Sequence, residues 1–149
     1  MIETGAALGG EMSGHTFFKE RWYGFDDAMY CGARLLEVVS RSANPSAVLD
    51  ALPDSVTTPE LKLELGEGEH FALIKTLQRD ARFPDAVQMI DIDGLRIEYK
   101  DGFGLARASN TTPVVVLRFE GDTEDALKRI QEDFRKTLQP LRPEKPLPF

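Results

Sequence analysis

The chain has 149 residues, 42% of them hydrophobic and 29% charged, enough for one domain with its own core plus part of another. Its formal net charge of -7 excludes the broad basic surface that nucleic acid or an anionic membrane selects, so neither is expected as a partner. A bound anion would therefore be held by a local cluster of donors. The lone cysteine, Cys31, excludes an internal disulfide framework and fits a reducing compartment. No apolar run reaches membrane-spanning length and no basic stretch leads into an apolar N-terminal segment, so the sequence reads as cytoplasmic.

In chain order, MIETGAALGGEMSGH offers a short strand over 5–8. A helix is expected from Asp26: either Asp26 or Asp27 can cap it, and Ala28, Gly32, Leu35, Leu36 and Val39 form one stripe at helical spacing. RSANPSAVLDALPDSVTTP is rich in Pro, Ser and small residues, holds one short helical turn and marks a boundary. After Pro59, ELKLEL alternates as a half-buried strand. Phe71, Ile74, Leu77 and Ala81 then mark a helix with Arg79 and Arg82 at its negative end. VQMIDIDGLRIEY reads as a hairpin turning at Asp93-Gly94, and Asp101-Gly102 makes another turn. A polar loop follows, then a strand over 114–119 and a helix from Asp122 or Thr123 with Leu127, Ile130, Phe134 and Leu138 inward. The tail QPLRPEKPLPF is too rich in proline for regular structure.

This order predicts an α+β domain, an antiparallel sheet with two helices packed on one face, over 58–149 including the Pro-rich tail. A linker is expected over 46–57. Residues 1–45 do not form a complete domain, because one helix and one strand cannot enclose a core. The apolar stripe of that helix is then open to pair with a second copy of the chain.

Two polar stretches carry candidate chemistry. In GGEMSGH, an extended backbone would project Glu11, Ser13 and His15 to one side, where a carboxylate and a hydroxyl can take paired hydrogen bonds from neighbouring sugar hydroxyls. A flexible Gly/Ser loop with solvated side chains explains the same residues. In RASNTTP, Arg107 can present a two-pronged fork to phosphate, with Ser109, Asn110 and Thr111 adding neutral donors. A turn whose side chains bond their own backbone is the alternative. DIDGLR, Asp91 to Arg96, imitates a metal loop but has Leu95 where a third acid is needed, and it reads as a turn. SANP, Ser42 to Pro45, reads as a helix terminator, and Cys31 as a packed residue. His70 opens a helix with no partner indicated by spacing.

Taken together, GEMSGH followed by FFKERWYGFDDAMY, and RASNTTP further along, resemble the bacterial phosphomannomutase/phosphoglucomutase enzymes of the α-D-phosphohexomutase superfamily. The resemblance covers nearly the whole chain. It implies the end of a third, α/β domain over 1–45 and a complete fourth domain of TATA-box-binding-protein-like fold. It also implies the reaction: a phosphoserine passes its phosphoryl group to a hexose phosphate, and the bisphosphate intermediate turns around and returns the other phosphate. Glucose or mannose 1-phosphate and 6-phosphate are thereby interconverted. By resemblance, Glu11 and Ser13 hold the sugar's 3- and 4-hydroxyls and His15 lies near the reacting end. Arg107, Ser109, Asn110 and Thr111 hold the phosphate that is not reacting. The family's serine loop, T-A-S-H-N-P, and magnesium loop, D-G-D-G-D-R, are absent from this sequence. The chain alone is therefore expected to be inactive and to bind no metal, with Mg2+ and the phosphoserine belonging to the full-length enzyme. The missing N-terminal domains are then its expected partner. The alternative is a stand-alone, non-catalytic phosphosugar-binding or assembly module.

Overall fold

A computed structural model describes residues 1–11 and 13–149. The chain divides into two compact units, Met1–Pro53 and Asp54–Phe149.

The first unit is a hairpin and two helices. Strands β1 (Leu8–Gly10) and β2 (Thr16–Phe18) pair antiparallel, with Leu8 opposite Phe18 and Gly10 opposite Thr16. The strand expected over 5–8 thus begins at Leu8, and its partner is the segment after the glycine loop. Helix α1 (Ala28–Val39) is capped by Asp27, whose carboxylate accepts the Tyr30 amide at 3.0 Å. The short α2 (Pro45–Asp50) is capped by Asn44, while Ser42 Oγ is occupied by the Asn44 backbone, as a terminator requires. No residue of α1 is buried. It meets β2 through Tyr30 and Arg34 on the Phe18 ring and Cys31 Sγ on the Thr16 carbonyl. It meets the segment after β2 through Trp22 stacked on Tyr30 at 4.4 Å and the Arg21, Arg34, Glu20 and Glu37 ion pairs. Leu35 and Leu36 of the stripe stay 53% and 67% exposed.

The second unit holds the core. Its sheet contains β3 (Val56–Thr57), β4 (Leu61–Glu64), β5 (Gln88–Ile90), β6 (Leu95–Tyr99), β7 (Gly102–Ala108) and β8 (Val114–Gly121). The order is β3-β8-β7-β6-β5, with β4 also on β8, and every pairing is antiparallel. β3 and β4 are one edge strand broken at Thr58-Pro59. Proline has no N–H to give, and the buried Thr58 hydroxyl accepts the Phe119 amide at 3.1 Å across the break. Strict alternation puts Leu63, Leu95, Ile97, Ala106, Val115, Leu117 and Phe119 on one face. Helices α3 (Glu69–Asp80) and α4 (Glu124–Leu138) pack on this sheet, as expected of the α+β reading. Thr123 caps α4 through the Ala126 amide, and Leu127, Ile130, Phe134 and Leu138 turn inward.

Two expectations are corrected. On α3 the inward residues are His70, Leu73, Ile74 and Leu77, whereas Phe71 is 43% exposed. Ile74, Leu77 and Ala81 of the expected stripe are buried, and only Phe71 lies off the buried face, where His70 and Leu73 take its place. The tail forms only a short 3-10 turn (Gln139–Leu141), yet it is docked rather than loose. Leu147 enters the core and the Phe149 ring lies 4.6 Å from that of Phe119. Arg142 bridges Glu69 and Glu144, and Arg135 donates to the Phe149 carbonyl. No helix is long and apolar enough to cross a membrane.

Candidate functional site

The two candidate stretches lie on different units, and each is built by a hairpin. In the first, residues after Gly10 do not continue as an extended strand. The Glu11 amide donates to the His15 carbonyl at 2.9 Å and the Gly14 amide to the Glu11 carbonyl at 3.0 Å, closing a tight loop. Gly14 sits at a φ of +89°, which side-chain-bearing residues avoid. The alternation that would set Glu11, Ser13 and His15 side by side therefore does not hold. The loop brings two of them together by another route: Ser13 Oγ donates to Glu11 Oε2 at 3.1 Å. His15 instead turns its Nδ1 to Asp26 Oδ2 at 2.5 Å. Both side chains of that pair are about half exposed, at 55% and 42%.

Asp26 is a partner that sequence reasoning missed. Two adjacent aspartates precede α1, and only one can cap it. Asp27 does so, and Asp26, bridged to Phe17 in the β2 segment, is carried back to His15. Their eleven-residue separation carried no periodic signal.

In the second unit, the RASNTTP segment is part strand and part loop. Arg107 and Ala108 belong to β7, with Arg107 paired to Val116. Ala106 is fully buried under the helices, so alternation sends Arg107 to the opposite, open face of the sheet. The ladder closes with the Ser109 amide donating to the Val114 carbonyl at 3.0 Å. The loop beyond is organised around one atom, Ser109 Oγ. It accepts the amides of Thr111 and Thr112, both at 3.3 Å, and lies 3.3 Å and 3.1 Å from their hydroxyls. Thr112 was not singled out in the sequence, although it belongs to the same cluster. Asn110, Thr111 and Thr112 are exposed, and Arg107 is too, its side chain half accessible. The arrangement thus presents one guanidinium, hydroxyls and an amide side chain at the mouth of a single hairpin. The bonds at Ser109 are those of a turn bonded to itself, and Arg107 and Asn110 beside it are exposed.

Arg107 Nη1 lies 3.4 Å from Asp93 Oδ2, on the β5–β6 turn. Among the described residues, no three His, Cys, Asp or Glu side chains converge on a point that could hold a metal ion. Asp91 and Asp93 remain turn residues.

A family model described as phosphoglucomutase/phosphomannomutase, alpha/beta/alpha domain III, matches residues 1–56, and one described as the C-terminal domain matches residues 56–137. The chain is 58% identical over 140 residues to a phosphoglucomutase of Neisseria gonorrhoeae, covering 93% of this chain and 30% of that protein. It is 51% identical over 150 residues to a phosphomannomutase/phosphoglucomutase of Pseudomonas aeruginosa, covering 100% of this chain and 32% of that protein. A crystal structure of a phosphoglucomutase/phosphomannomutase family protein from Burkholderia thailandensis superposes with a TM-score of 0.88 at 59% identity, over 99% of this chain and 31% of that one. The chain thus spans about a third of the length of the relatives it matches.

Proposed function

Because the chain belongs to the phosphoglucomutase/phosphomannomutase family, we propose that it is the C-terminal portion of a phosphohexomutase interconverting hexose 1- and 6-phosphates of glucose and mannose. In this reading residues 1–53 end the third domain and 54–149 are the fourth, the segment expected to link them being divided between α2 of the first unit and β3 of the second. The first hairpin supplies a grip on the sugar, with the Glu11 carboxylate accepting from one ring hydroxyl and Ser13 serving the next. Glucose and mannose differ only at carbon 2, so a grip on carbons 3 and 4 accepts both. His15, oriented by Asp26, stands near the reacting end. Arg107 with Ser109, Asn110 and Thr111 holds the phosphate that is not being transferred. The same cluster serves either end of the bisphosphate intermediate, because a phosphate group offers the same oxygen geometry in both orientations.

The observation that carries the reading is the exposed set at the end of β7, where the fork of Arg107 precedes the exposed Asn110, Thr111 and Thr112 of a loop held together at Ser109 Oγ. Such donors around a charged acceptor give the stronger class of hydrogen bond. Magnesium supplies charge neutralisation in phosphoryl transfer, but the residues here do not fit it: Asp93 faces Arg107 and Leu95 stands where a third carboxylate is needed. The phosphoserine and metal loops belong to the remainder of the enzyme, and the chain alone is expected to be inactive.

The test is a titration of the 149-residue chain with glucose 1-phosphate, glucose 6-phosphate and glucose, followed by amide chemical shifts. Both phosphates are expected to move the amides of 107–111 with millimolar affinity, on the order of −4 kcal/mol, and glucose is not. Sulfate is expected to compete. Arg107→Lys is expected to weaken binding, because a point charge cannot reproduce the fork. Amides that stay still with both phosphates would sink the assignment.

A further inference from the structure

The turn facing Arg107 is braced from behind. Gln78, on α3, reaches it with one amide nitrogen, which donates to the Asp91 carbonyl at 3.0 Å and to the Gly94 carbonyl at 2.7 Å. Gly94 adopts a φ of +97°, and a Cβ there would lie 2.5 Å from the Ala106 carbonyl oxygen and 2.9 Å from Arg107 Cα. The turn can press against the β7 backbone only because this residue has no side chain. Between the two bonds to Gln78 stands Asp93, and the brace delivers its carboxylate to the Arg107 guanidinium at 3.4 Å.

We propose that the Gln78-braced turn tunes the anion grip of Arg107, with Asp93 acting as the built-in counter-ion that an incoming phosphate must displace. The proposal rests on the phosphate-binding reading above. Arg107 and Asp93 are 50% and 69% exposed, so their attraction is screened by water and is readily exchanged for another anion. A phosphate on the fork also meets the nearby negative charge of Asp93, which weakens its hold. A site that takes one phosphate of an intermediate and then the other needs release as much as capture. Asp93 supplies the bias toward release, and Gln78 keeps it in range as a positioning residue.

Titration of the 149-residue chain with inorganic phosphate at low ionic strength, read at the amides of 107–111, tests this. Asp93→Asn is expected to bind phosphate about two- to fivefold more tightly, the range corresponding to loss of an exposed ion pair. Asp93→Glu is expected to stay near the parent affinity. Gln78→Ala releases the turn, so adding Asp93→Asn to it is expected to bring a smaller gain than in the parent. A purely structural role for Asp93 predicts no gain in affinity, so unchanged or weaker binding by Asp93→Asn overturns the proposal. If Arg107→Lys binds phosphate as well as the parent does, the phosphate cradle itself is wrong and takes this proposal with it.

Discussion

The ring of Phe134 occupies the space beside Gly104 that any side chain there would need: a Cβ would lie 2.3 Å from Phe134 Cε2 and 2.8 Å from Cζ. Phe134 is also packed edge-on to Phe119 and beside Phe83, so it cannot swing aside. Gly104→Ala is therefore expected to destabilise the second unit by about 1–3 kcal/mol through overpacking. The measurement is the urea midpoint with its slope held common to both proteins. An unchanged midpoint would show that α4 shifts freely over β7.

The docked tail makes a separate claim. Leu147 is 8% exposed within the core. Leu147→Ala is expected to cost about 2 kcal/mol, the low end for a buried leucine, because the site lies at the margin and can partly collapse. Urea unfolding again reports it. If the midpoint does not move, the tail is not part of the folded core.

Glu69 ties that tail to the start of α3. The Gly66 backbone amide, and then the Arg142 guanidinium, hold its carboxyl below the usual carboxylate value. A lowered folded-state pKa contributes stability that is complete above the unfolded value of about 4.3 and is lost as pH falls through the folded value. The urea midpoint is thus expected to fall on acidification below about pH 4.3, and Glu69→Gln is expected to flatten that slope. Identical acid profiles for the two proteins would remove Glu69 from the account.

The two units differ in protection. Helix α1 buries no residue, whereas α4 buries five. In a dilute monomer, the α1 amides are expected to exchange with solvent at least roughly a hundredfold faster than those of Ile130 and Phe134. Comparable protection of both helices would contradict this.

Much of the second unit was legible because its signals are local. Strict alternation in ELKLEL and the 3.6-residue spacing of Leu127, Ile130, Phe134 and Leu138 each point one face inward whatever the surroundings, and the structure keeps both. The Asp93-Gly94 turn was legible for the same reason: its glycine takes a backbone conformation that few other residues tolerate. The expected residues of the donor cluster were also visible as a composition, Arg107, Ser109, Asn110 and Thr111 within one short stretch.

Tertiary structure alone decided which polar side chains meet. His15 faces Asp26, Arg107 faces Asp93, and Gln78 grips the turn that carries Asp93, and none of these pairs shares a helical or strand period. Their proximity depends on how hairpins close and how α3 lies on the sheet, which is set by summed burial rather than by neighbouring residues. The tail shows the same division. Its prolines excluded regular structure from sequence, but the core that Leu147 joins, and the Phe119 of β8 and Arg135 of α4 that hold Phe149, are brought together only by the fold. Local patterns determine elements because backbone geometry is periodic; long-range contacts are decided by the closure of a core, to which each residue contributes only a small part.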